Sequence, residues 1–294
     1  MKEKQEIFTA RGIAIVPIFF RTIAHRQSRK AFFHYIRTVL RDFFFLQFSV
    51  KFGWVQIPVL TVDHQLDKTV PFVPEKVSVY LDFVAFWIRP LGYIGRRFGK
   101  EAQIKYTTEF LGLVDLCYRE AAEVYRFRMT TTQRPKYHKG KFFIIHFFDP
   151  HLLCVPSLHV IIVVLAYTFY RRAFSELGMD KKEMEVMNKE MFDGAVSITE
   201  TVLYIKQHSV NCIPAALYAM TRITPEEATV TEMVHFIDSL FLNAGDISAE
   251  NCAKIRTHIS DLYEELFLEG CHDTSWIEPL QRWLNAYSLA GFVN

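Results

Sequence analysis

The sequence predicts an all-α chain of membrane type, with a helical core followed by a small helical subdomain at the C-terminus. Three observations lead there. Long apolar runs are separated by basic clusters, a pattern that reads as mostly helical. Half of the residues are hydrophobic and 27 are Phe, enough for a large core, yet charged residues at 22% are too many for burial wholly in lipid. The charge is also divided. From Thr224 onward twelve Asp/Glu stand against three Lys/Arg, so a chain total of +2 leaves +11 on the first 223 residues. A basic, Phe-rich body and an acidic tail suit different surroundings.

Residues 1–42 form a basic N-terminal segment whose short apolar run is interrupted by Pro17 and Arg21. No small-residue cleavage site follows, so it does not read as a secretory signal. Residues 43–62, FFFLQFSVKFGWVQIPVLTV, are one membrane span long with Lys51 as the single charge. Residues 77–95 are similar but carry Asp82 and Arg89, and 107–125 are helical in pattern but more polar. In LLCVPSLHVIIVVLAY, from 152, Pro156 and the capping residue Ser157 start a helix expected to reach Tyr170. Its length of roughly 21 Å falls short of a bilayer core of about 30 Å. Either Tyr170 and Arg171 snorkel, or the helix is buried in protein.

The stretch SITETVLYIKQHSVNCIPAALYAM, 197–220, repeats the apolar helical pattern with Lys206 and His208 inside it. From Thr224 the character changes. Thr224-Pro225-Glu226-Glu227 reads as an N-cap, a first-position proline and an acidic first turn, closed at Gly245. Ser248 caps and Gly270 stops a second helix, and a third covers Trp276 to Tyr287. The expected division is 1–42, a helical core at 43–223, and an acidic helical subdomain at 224–294. That subdomain serves as a cap or as a surface for a protein partner.

Five cysteines, an odd number with no C-x-x-C pair, indicate neither a disulfide framework nor a zinc knuckle. HFFDPH, His146 to His151, lacks a recognised metal spacing and reads as a loop packed on the core. No metal and no cofactor are expected. The basic residues cluster at the ends of apolar segments, as membrane proteins place them, so nucleic acid is not an expected partner.

The chemistry gathers at two histidines. A helix N-terminus presents unpaired N–H groups and attracts anions. His159, in the first turn after Ser157, would lie beside a bound anion, where a proton donor to a leaving oxygen is useful. Lys206 in an apolar run calls for an anion to offset its burial.

CVPSLHV followed some fifty residues later by TVLYIKQHSVNCIPAALYA resembles the type 2 phosphatidic acid phosphatase and haloperoxidase superfamily. The nearest pattern is the branch of inositol phosphorylceramide synthases, and LDKTVPFVPEKVSVYLDF, 66–83, resembles a segment ahead of an early helix there. The three ordered matches cover roughly 60–222 and leave the tail out. The resemblance implies a six-helix membrane-type bundle with its catalytic residues at one end. It also implies a lipid-phosphate or phosphoester substrate, and a place in an inner or plasma membrane as a multi-pass protein. It makes His208 the nucleophile that forms a phosphohistidine and His159 the general acid, with Ser157 and Lys206 as phosphate ligands. A first-motif Arg-Pro pair adds Arg134 as a further ligand, although Phe127, between Arg126 and Arg128, stands where that motif has Lys.

One position departs from the pattern with chemical consequence. The family places an Asp one helical turn after the nucleophile to orient its ring, and here that residue is Cys212. A thiol does not hold the imidazole tautomer as a carboxylate does. Asn211 is a weak substitute, and Asp149 or Glu200 could serve only if the fold brings them in. The first expectation is therefore a membrane lipid-phosphate phosphatase or phosphotransferase. The second is a catalytically lapsed member of the same fold that binds lipid or a partner. The third is a soluble acid phosphatase or vanadate haloperoxidase relative. Alternating crossings place 126–141, Pro-Ser-Leu-His and His208 on one side.

Overall fold

A computed structural model describes residues 9–290; the first eight residues of the basic N-terminal segment lie outside them. The described chain is all-α apart from one small pair of strands. It contains α1 (Val16–Ala24), α2 (Arg26–Thr38) and a π-helical stretch Val39–Phe45 leading into the short α3 (Leu46–Lys51). Strand β1 (Val59–Thr61) follows, then the short α4 (Val77–Leu81), α5 (Phe83–Arg97) and α6 (Lys100–Phe127). After β2 (Met129–Thr131) come α7 (Lys141–Phe148), α8 (Leu158–Glu176), α9 (Lys181–Tyr204) and α10 (Cys212–Ile223). The chain closes with α11 (Val230–Ser239), α12 (Ala249–Gly270) and α13 (Ile277–Ala290).

This is not the expected six-helix membrane-type bundle. Eleven of these helices are eight residues or longer, and two helical stretches are long and apolar enough to cross a bilayer, Pro74–Arg97 and Leu158–Glu176. Three physical reasons account for the difference. The span expected at 43–62 is broken: α3 stops at Lys51, Gly53 turns the chain at φ +74°, and the segment beyond becomes β1. α9 opens with a run of charged residues, KKEMEVMNKEMFD. α8 is encased by protein, with every residue from Val160 to Tyr170 buried, as a helix apolar on all sides requires. It also continues past Arg171 and Arg172 to Glu176, because Arg172 is satisfied by Glu109, Glu176 and Glu227.

Helices α5, α6, α8 and α9 run alternately up and down. At one end the His159 ring stacks on Tyr80, 4.5 Å between centroids, and the Tyr125 hydroxyl donates to the Pro156 carbonyl at 2.6 Å. At the other, the Tyr106 hydroxyl donates to Glu176 at 2.9 Å and Arg97 pairs with Glu183. The four helices therefore bring Pro-Ser-Leu-His and the end of α9 to one face. Strands β1 and β2 pair in parallel, Val59 with Met129 through Thr61 with Thr131, and Thr130 bridges Leu153. These few hydrogen bonds fasten three distant segments beneath that face.

The acidic C-terminal region is packed on the core. The Tyr218 hydroxyl on α10 donates to the Trp276 carbonyl, and the Trp276 indole donates to Glu120 on α6. Its acids meet the basic end of α8: Glu227 takes Arg172 and Glu232 takes Arg171, which uses part of the charge asymmetry. The expected cap at Thr224 is not formed. Residues 225–227 are a turn, and α11 starts five residues later, where Thr229 and Glu232 make a reciprocal capping box. Ser248 does cap α12, and Gly270 is its last residue.

Candidate active site

Ser157 is the N-cap of α8, its Oγ accepting from the Val160 amide at 3.4 Å. The same Oγ lies 3.2 Å from His208 Nε2. His159 follows in the first turn of α8, and its ring centroid is 5.8 Å from that of His208. Ser157, His159 and His208 are thus brought together from two parts of the chain.

His208 does not lie within a helix, as the apolar pattern suggested. α9 ends at Tyr204, residues 205–211 turn, and Lys206 takes φ +56°. The one-turn relation expected between 208 and 212 is therefore absent. Cys212 instead opens α10 and is fully buried. His208 Nδ1 is buried without a well-formed hydrogen bond. Asn211 does not supply one: its Oδ1 is 2.7 Å from His258 Nε2, and its amide donates to the Val62 carbonyl. Glu200 is occupied by the Phe241 amide. Burial, with His159 and Arg134 nearby, holds the His208 pKa well below its ordinary value of 6.5. The ring is neutral at neutral pH, the state a nitrogen nucleophile needs.

The carboxylate that does reach the site is Asp149. Together with His151, Cys154 and Gln207 it lines a chamber beside the two histidines. The chamber measures about 20 Å³, room for about one water molecule. His151 is held at φ +65° with Nε2 2.8 Å from Thr132 Oγ1. Burial, and then the Arg134 charge, keep it neutral. HFFDPH had read as a packing loop, and no local feature of it announces Asp149 or His151 as chamber residues. They are placed by β2 and by the turn before Pro156.

Arg134 and Lys206 are elsewhere. Arg134 donates to Asp149 Oδ2 at 2.6 Å and to its backbone carbonyl at 3.3 Å. It also lines an open groove of about 750 Å³ with Asp63, Asp67, Lys68 and Lys206. The Arg134–Asp149 pair therefore forms part of the wall between groove and chamber. Lys206 points into the groove side, where its ammonium donates to the Asp67 carbonyl at 2.5 Å and to that of Val70. Burial lowers its pKa against the opposing pull of Asp67 and Asp63. Arg126 and Arg128 turn away, to Asp42 and the Leu284 carbonyl. Residues 66–83 do pack on the third motif: Asp67 accepts from the Val210 amide at 2.8 Å, and the Val73 amide donates to the Tyr204 carbonyl at 3.0 Å. Among the described residues no three His, Cys, Asp or Glu side chains gather as a metal site would require.

Comparison with protein-family models, with curated proteins and with solved structures finds no match.

Proposed function

We propose that this chain is a phosphoryl-transfer protein acting on a lipid phosphate, related to the phosphatidic acid phosphatases that its motifs resemble. The observation that carries the reading is the pair of imidazoles 5.8 Å apart with Ser157 on one of them. In this reading His208 Nε2 attacks phosphorus and forms a P–N bond as the bond to the lipid alkoxide breaks. His159 gives its proton to that oxygen. Water or another alcohol then takes the phosphoryl group and returns a proton. A bound phosphate dianion favours a protonated imidazole beside it, which is the state the donor requires. Ser157 and the first amides of α8 face the developing charge.

Multi-pass residence in an inner or plasma membrane is the finer form of this proposal. It is supported by the two apolar stretches Pro74–Arg97 and Leu158–Glu176. For both to cross, α6 must cross between them, and acids on α6 do carry partners: Asp115 meets Arg119 and His34, and Glu109 meets Arg172. Alkaline carbonate extraction is the check, since release of the chain into the supernatant would refute any crossing.

A second reading, a lapsed member that binds without turnover, is favoured by the small chamber and by His208 Nδ1 lacking a carboxylate. Phosphate release from phosphatidate by detergent-solubilised protein separates the two. Release that disappears in His208→Ala supports catalysis, while a wild type without release supports the lapsed form.

A further inference from the structure

The helix α7 is thinly covered. Phe142 and Ile145 are its buried residues. Phe142 packs on Phe72 and Tyr137 with ring centroids 5.8 Å and 5.2 Å away. The opposite side is open: Phe143 is 62% exposed, Ile144 53%, Phe147 62% and Phe148 57%. Four large apolar side chains on eight residues are not the scattered exposure of an ordinary surface. Immediately before them come Lys136, Lys139 and Lys141, all exposed, with His138 between. At 1.5 Å per residue α7 is only about 12 Å long, far too short to cross a bilayer. Aromatic and aliphatic side chains on one side and lysines beside them are the composition of an element that lies in the interface.

We infer that α7 docks into the surface of a bilayer containing anionic lipid, with Phe143, Ile144, Phe147 and Phe148 among the acyl chains and Lys136, Lys139 and Lys141 at the headgroups. The lysines decide the occupant. An apolar patch alone would suit a protein groove equally well, but three cations at its rim match phosphate-bearing headgroups and the negative surface they create. The position also has a consequence for the site. Asp149, the next residue after Phe148, lines the histidine chamber and holds Arg134. Docking α7 therefore brings the chamber wall to headgroup depth. This placement is argued from the surface of α7 alone, so it does not depend on whether the histidines turn over substrate.

The test is site-directed spin labelling of the full chain reconstituted in vesicles. Cys271, the exposed cysteine among the described residues, is first replaced by Ser. Single cysteines are then introduced as Phe143→Cys, Phe147→Cys and Lys139→Cys. Collision with oxygen, which concentrates in the acyl chains, is compared with collision with a water-soluble nickel chelate. In vesicles of phosphatidylcholine with phosphatidylglycerol, labels at 143 and 147 should favour oxygen and the label at 139 the chelate. Removing phosphatidylglycerol, or changing the three lysines to Gln, should shift the labels at 143 and 147 toward the chelate. Labels at 143 and 147 that meet the chelate in both vesicles would overturn the proposal. So would labels inaccessible to both reagents, which would mean a protein contact, and so would an oxygen preference indifferent to lipid charge. Phosphate release, measured separately, leaves each of these outcomes readable.

Discussion

The neutral, buried His208 makes a prediction about stability against pH that can be worked through. Its pKa in the fold lies well below 6.5, chiefly through burial, whereas the unfolded chain titrates near 6.5. Below that pH the unfolded state binds the additional proton, so the slope of unfolding free energy with pH is positive. The contribution of the ring is complete above pH 6.5 and is lost as the pH falls below it. A ring that stays neutral in the fold from about pH 7.5 to about pH 5.5 costs on the order of 1 kcal/mol over that interval. For a chain of this size that corresponds to about 2 °C in Tm. The perturbation is His208→Gln, and the assay is thermal unfolding of the purified protein at the two pH values. The wild type should lose about 2 °C more than the variant on acidification, whatever the variant does to stability at neutral pH. Asp63, Glu190 and Glu200, whose pKa values burial raises, contribute with the opposite sign. They are common to both proteins and drop out of the comparison. Equal losses in the two proteins would refute the claim that His208 is held neutral.

Three further outcomes follow from the geometry. Ser157→Ala removes both the cap of α8 and the partner of His208 Nε2, and should cost about 2 kcal/mol, read as a fall in Tm. Arg134→Gln leaves the Asp149 carboxylate without its guanidinium in a site only about a quarter exposed. It should destabilise by about 2 kcal/mol and, by loosening the wall, speed modification of His208 by diethyl pyrocarbonate; unchanged modification would mean that this pair does not close the chamber. Gly270→Ala would put a methyl group 2.4 Å from the Tyr218 hydroxyl. The resulting displacement of Tyr218 from Trp276 should outweigh the gain in helix propensity and lower stability by about 1–2 kcal/mol, measured by thermal unfolding.

Local signals proved readable where a local cause suffices. Ser157 and Ser248 cap helices because each hydroxyl has a backbone amide of the next turn within reach. The helical pattern at 107–125 belongs to a longer helix, α6. What the sequence could not show was how segments far apart are fastened. A run of 20 apolar residues at 43–62 looks continuous, yet Gly53 breaks it and β2, nearly seventy residues on, recruits its end as a strand. Lys206 lies two residues from His208 and still faces the groove, because a positive φ and the carbonyls of Asp67 and Val70 redirect it. Asp149 enters the chamber through tertiary placement alone.

The acidic C-terminal region is part of what holds the candidate nucleophile. Asn211, three residues after His208, is gripped by His258 of α12 at 2.7 Å and by the Tyr287 hydroxyl of α13 at 3.3 Å. That hydroxyl in turn donates to the Asp63 carbonyl, and the Asp63 carboxylate accepts from the Gln133 amide next to Arg134. The His258 ring stacks on His64 at 4.1 Å, at the entrance to the segment that holds Lys206. The turn 205–211 is tied to the end of α9 by its own backbone bonds, Lys206 to the Leu203 carbonyl and Gln207 and His208 to that of Val202, and α12 and α13 add side-chain contacts at Asn211. That added support comes from two helices outside the segments 66–83, 154–160 and 201–219. A carboxylate at position 212 is absent, and the added contacts at Asn211 reach the turn from behind. The C-terminal helices thus brace the turn, and a chain cut at residue 223 would lose His258 and Tyr287 from Asn211 while keeping its bond to the Val62 carbonyl.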